Sequence, residues 1–106
     1  MTGDEAQVVD DPIHDRFTIE QDGVVAQLAY DAGGGRLVLT HTEVPEEIAG
    51  RGIGGHLVRA AAERAASDGL TLAPWCSYAR KWLQDHPDVA DGIAIDWAPP
   101  PAAAPR

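Results

Sequence analysis

Ala49-Gly50-Arg51-Gly52-Ile53-Gly54-Gly55 is the stretch whose reading decides how the rest of the chain is arranged. Four glycines and one arginine stand at the start of an alanine-rich amphipathic segment. Glycine lets successive backbone N–H groups turn toward one point, and the positive end of a following helix adds a field that favours a diphosphate. The pattern reads as an anion cradle for a phosphorylated cofactor. An ordinary tight turn into a helix is the plain structural alternative.

The surroundings exclude two common phosphate loops. Gly50, Gly52 and Gly55 formally fit Gly-x-Gly-x-x-Gly, but the dinucleotide fingerprint needs a strand running into the first glycine and an acidic residue ending the next strand. Here the strand-like run ends at Val44, residues 45–49 intervene, and the next apolar stretch, residues 70–74, leads into Trp75 and Cys76. A Walker-type loop is excluded because no Gly-Lys-Ser/Thr follows the glycines.

Working outward toward the N-terminus, residues 36–44 read as a strand. Leu37 and Leu39 lie on one face, and Val38, Thr40, Thr42 and Val44 on the other. Residues 33–35, all glycine, form the turn before it. Residues 16–20 and 24–30 alternate polar and apolar side chains around an Asp22-Gly23 hairpin signal. Residues 1–15 carry Asp4, Glu5, Asp10, Asp11 and Asp15 with little periodicity and read as a flexible acidic lead-in. Toward the C-terminus, Ile53, Leu57, Ala61 and Ala65 recur every four residues, widened by Val58 and Ala62. That stripe predicts a helix of about fifteen residues, stopped at Asp68-Gly69. Residues 70–74 then predict a buried strand, Ser77 a cap for a second helix through Leu83, and residues 93–97 a last strand. The end of the chain, residues 98–106, reads as a disordered Pro/Ala tail.

The expected fold is α/β (α+β): one domain over residues 16–97, with a twisted, mainly antiparallel sheet and helices packed on it. At 106 residues the chain can bury about 60 to 70% of its unfolded surface without disulfide staples. Its single cysteine, Cys76, cannot form an internal disulfide and fits a reducing cytoplasm. No apolar run is long enough to span a bilayer, and the acidic N-terminal residues lack the cationic and apolar regions of a signal peptide, so an intracellular protein is expected. The net charge of −9, from 17 acidic against 8 basic side chains, disfavours nucleic-acid phosphates and anionic membranes. It suits cationic substrates, although many acidic domains are acidic only for solubility. A monomer or weak dimer is expected.

Strand, short linker, Gly-x-Gly turn, long helix and strand together resemble the acyl-CoA site of the GNAT superfamily of N-acetyltransferases, whose signature reads Gln/Arg-x-x-Gly-x-Gly/Ala. Gly52 and Gly54 match the two small positions, and Ala49 stands where Gln or Arg is usual. The ordered set His41-Thr42-Glu43-Val44-Pro45, Gly52-Ile53-Gly54, Pro74-x-Cys76-x-Tyr78 and His86-Pro87 looks like a compact single-domain subgroup of that superfamily. That subgroup carries a cysteine after its penultimate strand.

The resemblance implies acetyl-CoA as cofactor and an amine acceptor, either a small amine or a protein. It implies a cradle of Gly50, Arg51, Gly52, Ile53, Gly54 and Gly55, and a splayed edge near Glu43 and Val44 that pairs the pantetheine arm. Arg51 is read as a phosphate grip or a solvated charge. Tyr78 and Lys81, within one helical turn, are placed toward the cofactor's phosphate or adenine side.

Acetyl transfer needs a held cofactor, a deprotonated nucleophile and a donor for the oxyanion; no metal is required. Cys76, between strand and helix, reads as core filler, as a nucleophile carrying the acetyl group, or as the acid for the departing CoA thiolate. His41 suits the acceptance of an amine proton, or a structural hydrogen bond. Glu43, two residues on, could orient His41, act as base through water, or be solvated. His56 reads as exposed or as a phosphate contact, and His86 as a cap or turn residue. The expected activity is N-acetyl transfer. Two rival readings stay open: a noncatalytic CoA-binding regulatory or interaction module, and a structural acidic partner protein.

Overall fold

The computed structural model describes residues 7–100. Five strands form one sheet in chain order: β1 (Val9–Asp11), β2 (Arg16–Gln21), β3 (Val24–Gly33), β4 (Arg36–Glu43) and β5 (Thr71–Pro74). The first three pairings are antiparallel, and β5 joins β4 in parallel. A parallel return needs a crossover, and helix α1 (Ile53–Asp68) supplies it. A short 3-10 turn, Glu46–Ile48, precedes α1, and helices α2 (Ser77–Asp85) and α3 (Pro87–Ala90) follow β5.

Local chemistry accounts for the turns. Asp22 and Gly23 have φ of 55° and 78°, and Gly34 and Gly35 have φ of 60° and 78°, the left-handed pairs that a tight hairpin requires. Gly69 caps α1 at φ 67°, and its N–H donates to the carbonyl of Ala65. Ser77 is the first residue of α2 and not its cap; Cys76 holds the N-cap position, with no side-chain cap bond.

The core lies on one face of the sheet. Phe17, Ile19, Ala26, Leu28, Tyr30, Leu37 and Leu39 project there against the α1 stripe of Leu57, Val58, Ala61 and Ala65. Each buried valine, leucine, isoleucine or phenylalanine among them contributes about 1.5–3 kcal/mol. Residues between them, such as Thr18, Glu20, Val25 and Gln27, stay exposed or half-buried.

Three expectations change. The acidic lead-in contains β1, held because Tyr30 Oη donates to Asp10 at 2.6 Å and Arg64 reaches Asp10 at 3.1 Å; residues 1–6 lie outside the described residues. The last strand, 93–97, shrinks to one parallel bridge between Leu72 and Ile95, flanked by the Leu72 N–H to Ala94 and Asp96 N–H to Leu72 bonds. Pro99 and Pro100 follow and have no amide donors to extend it. Of the tail, Ala98 is tied through its N–H to Asp96 and its carbonyl to Arg80; residues 101–106 lie outside the described residues.

Candidate functional site

β4 carries a bulge. Ala29 pairs with His41, but Tyr30 pairs with Leu39, so Thr40 is the extra residue. An inserted residue inverts the side-chain phase of the rest of a strand. Beyond Thr40, therefore, Thr42 and Val44 turn to the helix side, whereas His41 and Glu43 turn to the open face. Pairing of β4 with β5 ends at Leu39 and Pro74, which leaves that edge of residues 40–43 without a strand partner among the described residues.

At this divergence lies a cleft of about 350 Å³. Thr42 and Val44 form one wall; Ala49, Gly50 and Gly52 come from the loop; Ile53 and Gly54 open α1; and Tyr78 closes the far side from α2. The first intrahelical bond of α1 runs from the His56 N–H to the Gly52 carbonyl at 3.2 Å. The amides of Ile53, Gly54 and Gly55 thus have no partner within the helix, and the positive end of α1 points the same way. Gly50 and Gly52 have φ of 83° and 74°, and nothing lies within 4 Å of where a Cβ would stand. Their role is conformational, and the space beside them is open.

Gly54 and Gly55 work differently. A Cβ on Gly54 would stand 2.5 Å from Tyr78 Oη, and one on Gly55 would stand 2.5 Å from Trp82 Nε1. These two glycines let α2 press its aromatic side chains onto the first turn of α1. Sequence alone gives these glycines either an anion cradle or a tight helix entry, and nothing local reveals the aromatic packing.

Cys76 is half-buried between β5 and α2, and both its N–H and that of Trp75 donate to the Leu39 carbonyl, at 2.9 and 3.0 Å. Its Sγ lies 3.2 Å from Thr42 Oγ1 on the cleft wall. Burial, and then the sulfur of Cys76, push the Tyr78 phenol above its ordinary pKa. Tyr78, protonated at neutral pH as any phenol is, presents its side chain to the cleft.

Several expected site residues stand apart from this cleft. His41 and Glu43 lie on the open face, where Glu43 accepts from Gln27 Nε2 at 3.1 Å. Arg51 turns back to Asp22 at 2.9 Å and Gln21 at 3.2 Å. Lys81 pairs with Asp85 at 2.9 Å and is exposed. His86 is a turn residue, stacked on Trp82 with Nδ1 donating to the Trp82 carbonyl at 2.7 Å. His56 borders a larger hollow of about 560 Å³ between β1 and α1, beside Arg59 and Arg64. That hollow has neither helix-start amides nor a thiol. Thr42 was not singled out from sequence, because nothing local marks the bulge that aims it. Among the described residues, no group of three His, Cys, Asp or Glu side chains is placed to hold a metal, and no helix is long and apolar enough to cross a membrane.

A mixed sheet whose β4 and β5 part beside the first turn of α1, with Thr42 on the cleft wall touching the half-buried thiol of Cys76, defines the class of this α/β domain. The model of the GCN5-related N-acetyl-transferase family matches residues 16–92. Protein NATD1 of Gallus gallus is 38% identical over 81 residues, covering 70% of this chain and 74% of that protein. Protein NATD1 of Homo sapiens is also 38% identical over 81 residues, covering 72% of its own length. The solution structure of a GCN5-like candidate N-acetyltransferase from Staphylococcus aureus shares the fold, with a TM-score of 0.67 over 93% of this chain and 96% of that one, at 22% identity. The chain belongs to the GCN5-related N-acetyltransferase family, in which acetyl-CoA is the usual cosubstrate.

Proposed function

We propose that this protein is an acetyl-CoA-dependent N-acetyltransferase acting on an amine. The observation that carries the reading is one cleft lined by Gly50, Gly52, Ile53 and Gly54 at the start of α1 and by Thr42, whose hydroxyl touches the Cys76 sulfur. The amides at positions 50–55 suit a diphosphate, and the partnerless edge of β4 running into Val44 suits an amide-rich pantetheine arm. When bound, acetyl-CoA supplies an acetyl thioester.

Cys76 places its sulfur at the end of that path. It serves there in one of two ways: its thiolate forms a new S–C bond with the acetyl carbon as the bond to the CoA sulfur breaks, or its S–H protonates the departing CoA sulfur. Tyr78, kept neutral, is a second donor for that sulfur. The acceptor amine enters at the mouth of this cleft, and His41 and Glu43, on the opposite face of the sheet, are left without a part in the transfer. A free thiol at Cys76 fits a reducing compartment such as the cytoplasm.

Titration with acetyl-CoA by calorimetry, followed by intact mass measurement, tests this. Binding with a gain of roughly 42 Da on Cys76, one acetyl group, supports the relay. Binding without the adduct, but with turnover of an amine, supports direct transfer. Binding without turnover of any amine supports the noncatalytic module, and absence of binding overturns the acetyl-CoA reading.

A further inference from the structure

Residues 49–52 are all exposed and include two glycines with left-handed φ and no packing around them. On either side the chain is anchored by a buried isoleucine, Ile48 at 0% exposure and Ile53 at 2%. A glycine-rich span between two anchors loses much conformational entropy when it adopts one shape. Among the described residues, the side-chain bonds that restrain its middle all come from Arg51. Its Nη1 donates to Asp22 Oδ2 at 2.9 Å and to Gln21 Oε1 at 3.2 Å, and its Nη2 reaches the Glu47 carbonyl at 3.5 Å. Arg51 does not line the cleft, although Gly50 and Gly52 on either side of it do.

We infer that Asp22, on the β2–β3 turn, is a positioning residue for the phosphate cradle: it holds Arg51, and Arg51 holds the Gly50 and Gly52 amides in their receptive arrangement. This rests on the proposed acetyl-CoA site, which it deepens. Arg51 could instead swing to grip a phosphate, and Asp22 would then compete with the ligand. The two roles predict opposite signs for a change at Asp22. With Asp22 as latch, its loss weakens binding; with Asp22 as competitor, its loss tightens it.

Asp22→Asn is the decisive variant, because asparagine is favoured at this left-handed turn position and keeps the hairpin while removing the charge. Acetyl-CoA affinity is expected to fall about two- to fivefold in Asp22→Asn and in Arg51→Met, the range of an exposed ion pair. The double variant is expected to be no weaker than either single one. S-acetylpantetheine, which has no diphosphate, is expected to bind all of them alike. Unchanged or tighter acetyl-CoA binding by Asp22→Asn overturns the latch, as does equal weakening of both ligands. Backbone 15N order parameters on the ligand-free protein separate this from the proposed function. With the latch, the Gly50–Gly52 amides fall from about 0.85 toward 0.6 in Asp22→Asn, whether or not the wild type binds acetyl-CoA. Unchanged order parameters overturn the latch even where acetyl-CoA binding is intact.

Discussion

Thr42 Oγ1 stands 3.2 Å from Cys76 Sγ, a contact that closes the gap where β4 and β5 part. Two elements meet there that are 34 residues apart in sequence. The hydroxyl can face the sulfur only because the bulge at Thr40 shifts the phase of the strand.

Removing the sulfur tests its role directly. Cys76→Ala is expected to lower kcat by about 100-fold or more, as for loss of a nucleophile or acid, with acetyl-CoA affinity retained. Thr42→Val keeps the β-branched shape and deletes one hydrogen bond, so kcat should fall only about two- to tenfold. Steady-state kinetics with an accepted amine, alongside calorimetry, reads both; full turnover by Cys76→Ala would make the thiol structural.

Gly54 and Gly55 should respond differently to alanine. At Gly54 the added methyl meets the hydroxyl end of Tyr78, a side chain 45% exposed and free to swing. Stability should change by less than about 1 kcal/mol, since alanine's helix propensity offsets the contact, while acetyl-CoA affinity drops as Tyr78 leaves the cleft. At Gly55 the methyl meets Trp82, already stacked on His86 at 3.8 Å. Overpacking there should cost about 1–3 kcal/mol in urea unfolding.

Gly50→Ala and Gly52→Ala carry strain without a clash, because both positions have positive φ and empty surroundings. Each should cost about 1–2 kcal/mol, and Gly52→Asn clearly less, since asparagine tolerates the left-handed region. Chemical denaturation of the three variants checks the order.

The tyrosines set an alkaline limit. Burial and the bond to Asp10 raise the pKa of Tyr30, and burial followed by Cys76 raises that of Tyr78, both from an ordinary 10.0. A phenol whose folded pKa is raised contributes stability that is fully present below the unfolded value and is lost as pH rises through the folded one. Melting temperature should therefore hold to about pH 9 and fall above pH 10, less steeply in Tyr30→Phe. That variant also loses a charge-assisted bond, at a cost of about 1.5 kcal/mol at neutral pH. An unaltered alkaline limb in Tyr30→Phe would count against this assignment.

Much of the fold was legible because its signals are local. The Asp22-Gly23 turn, the four-residue stripe from Ile53 and the stop at Gly69 each depend on neighbours within one turn or one hairpin. The weak periodicity of residues 9–11 concealed β1, whose position depends on Tyr30 and Arg64, far along the chain. The strand expected at 93–97 had the right apolar pattern but, among the described residues, makes a single bridge to Leu72.

By itself, the sequence determined that a glycine-rich turn leads into an amphipathic helix after a strand, and that a thiol follows the next strand. Spacing and backbone freedom act over a few residues, so these features needed no tertiary knowledge. Only the tertiary structure decided which side chains share the cleft. It turned His41 and Glu43 to the open face, brought Thr42 to Cys76, fitted Tyr78 and Trp82 against Gly54 and Gly55, and tied Arg51 to Asp22. The physical reason is that a one-residue bulge reverses every later side chain of a strand, and that long-range pairs form only where packing brings distant elements together.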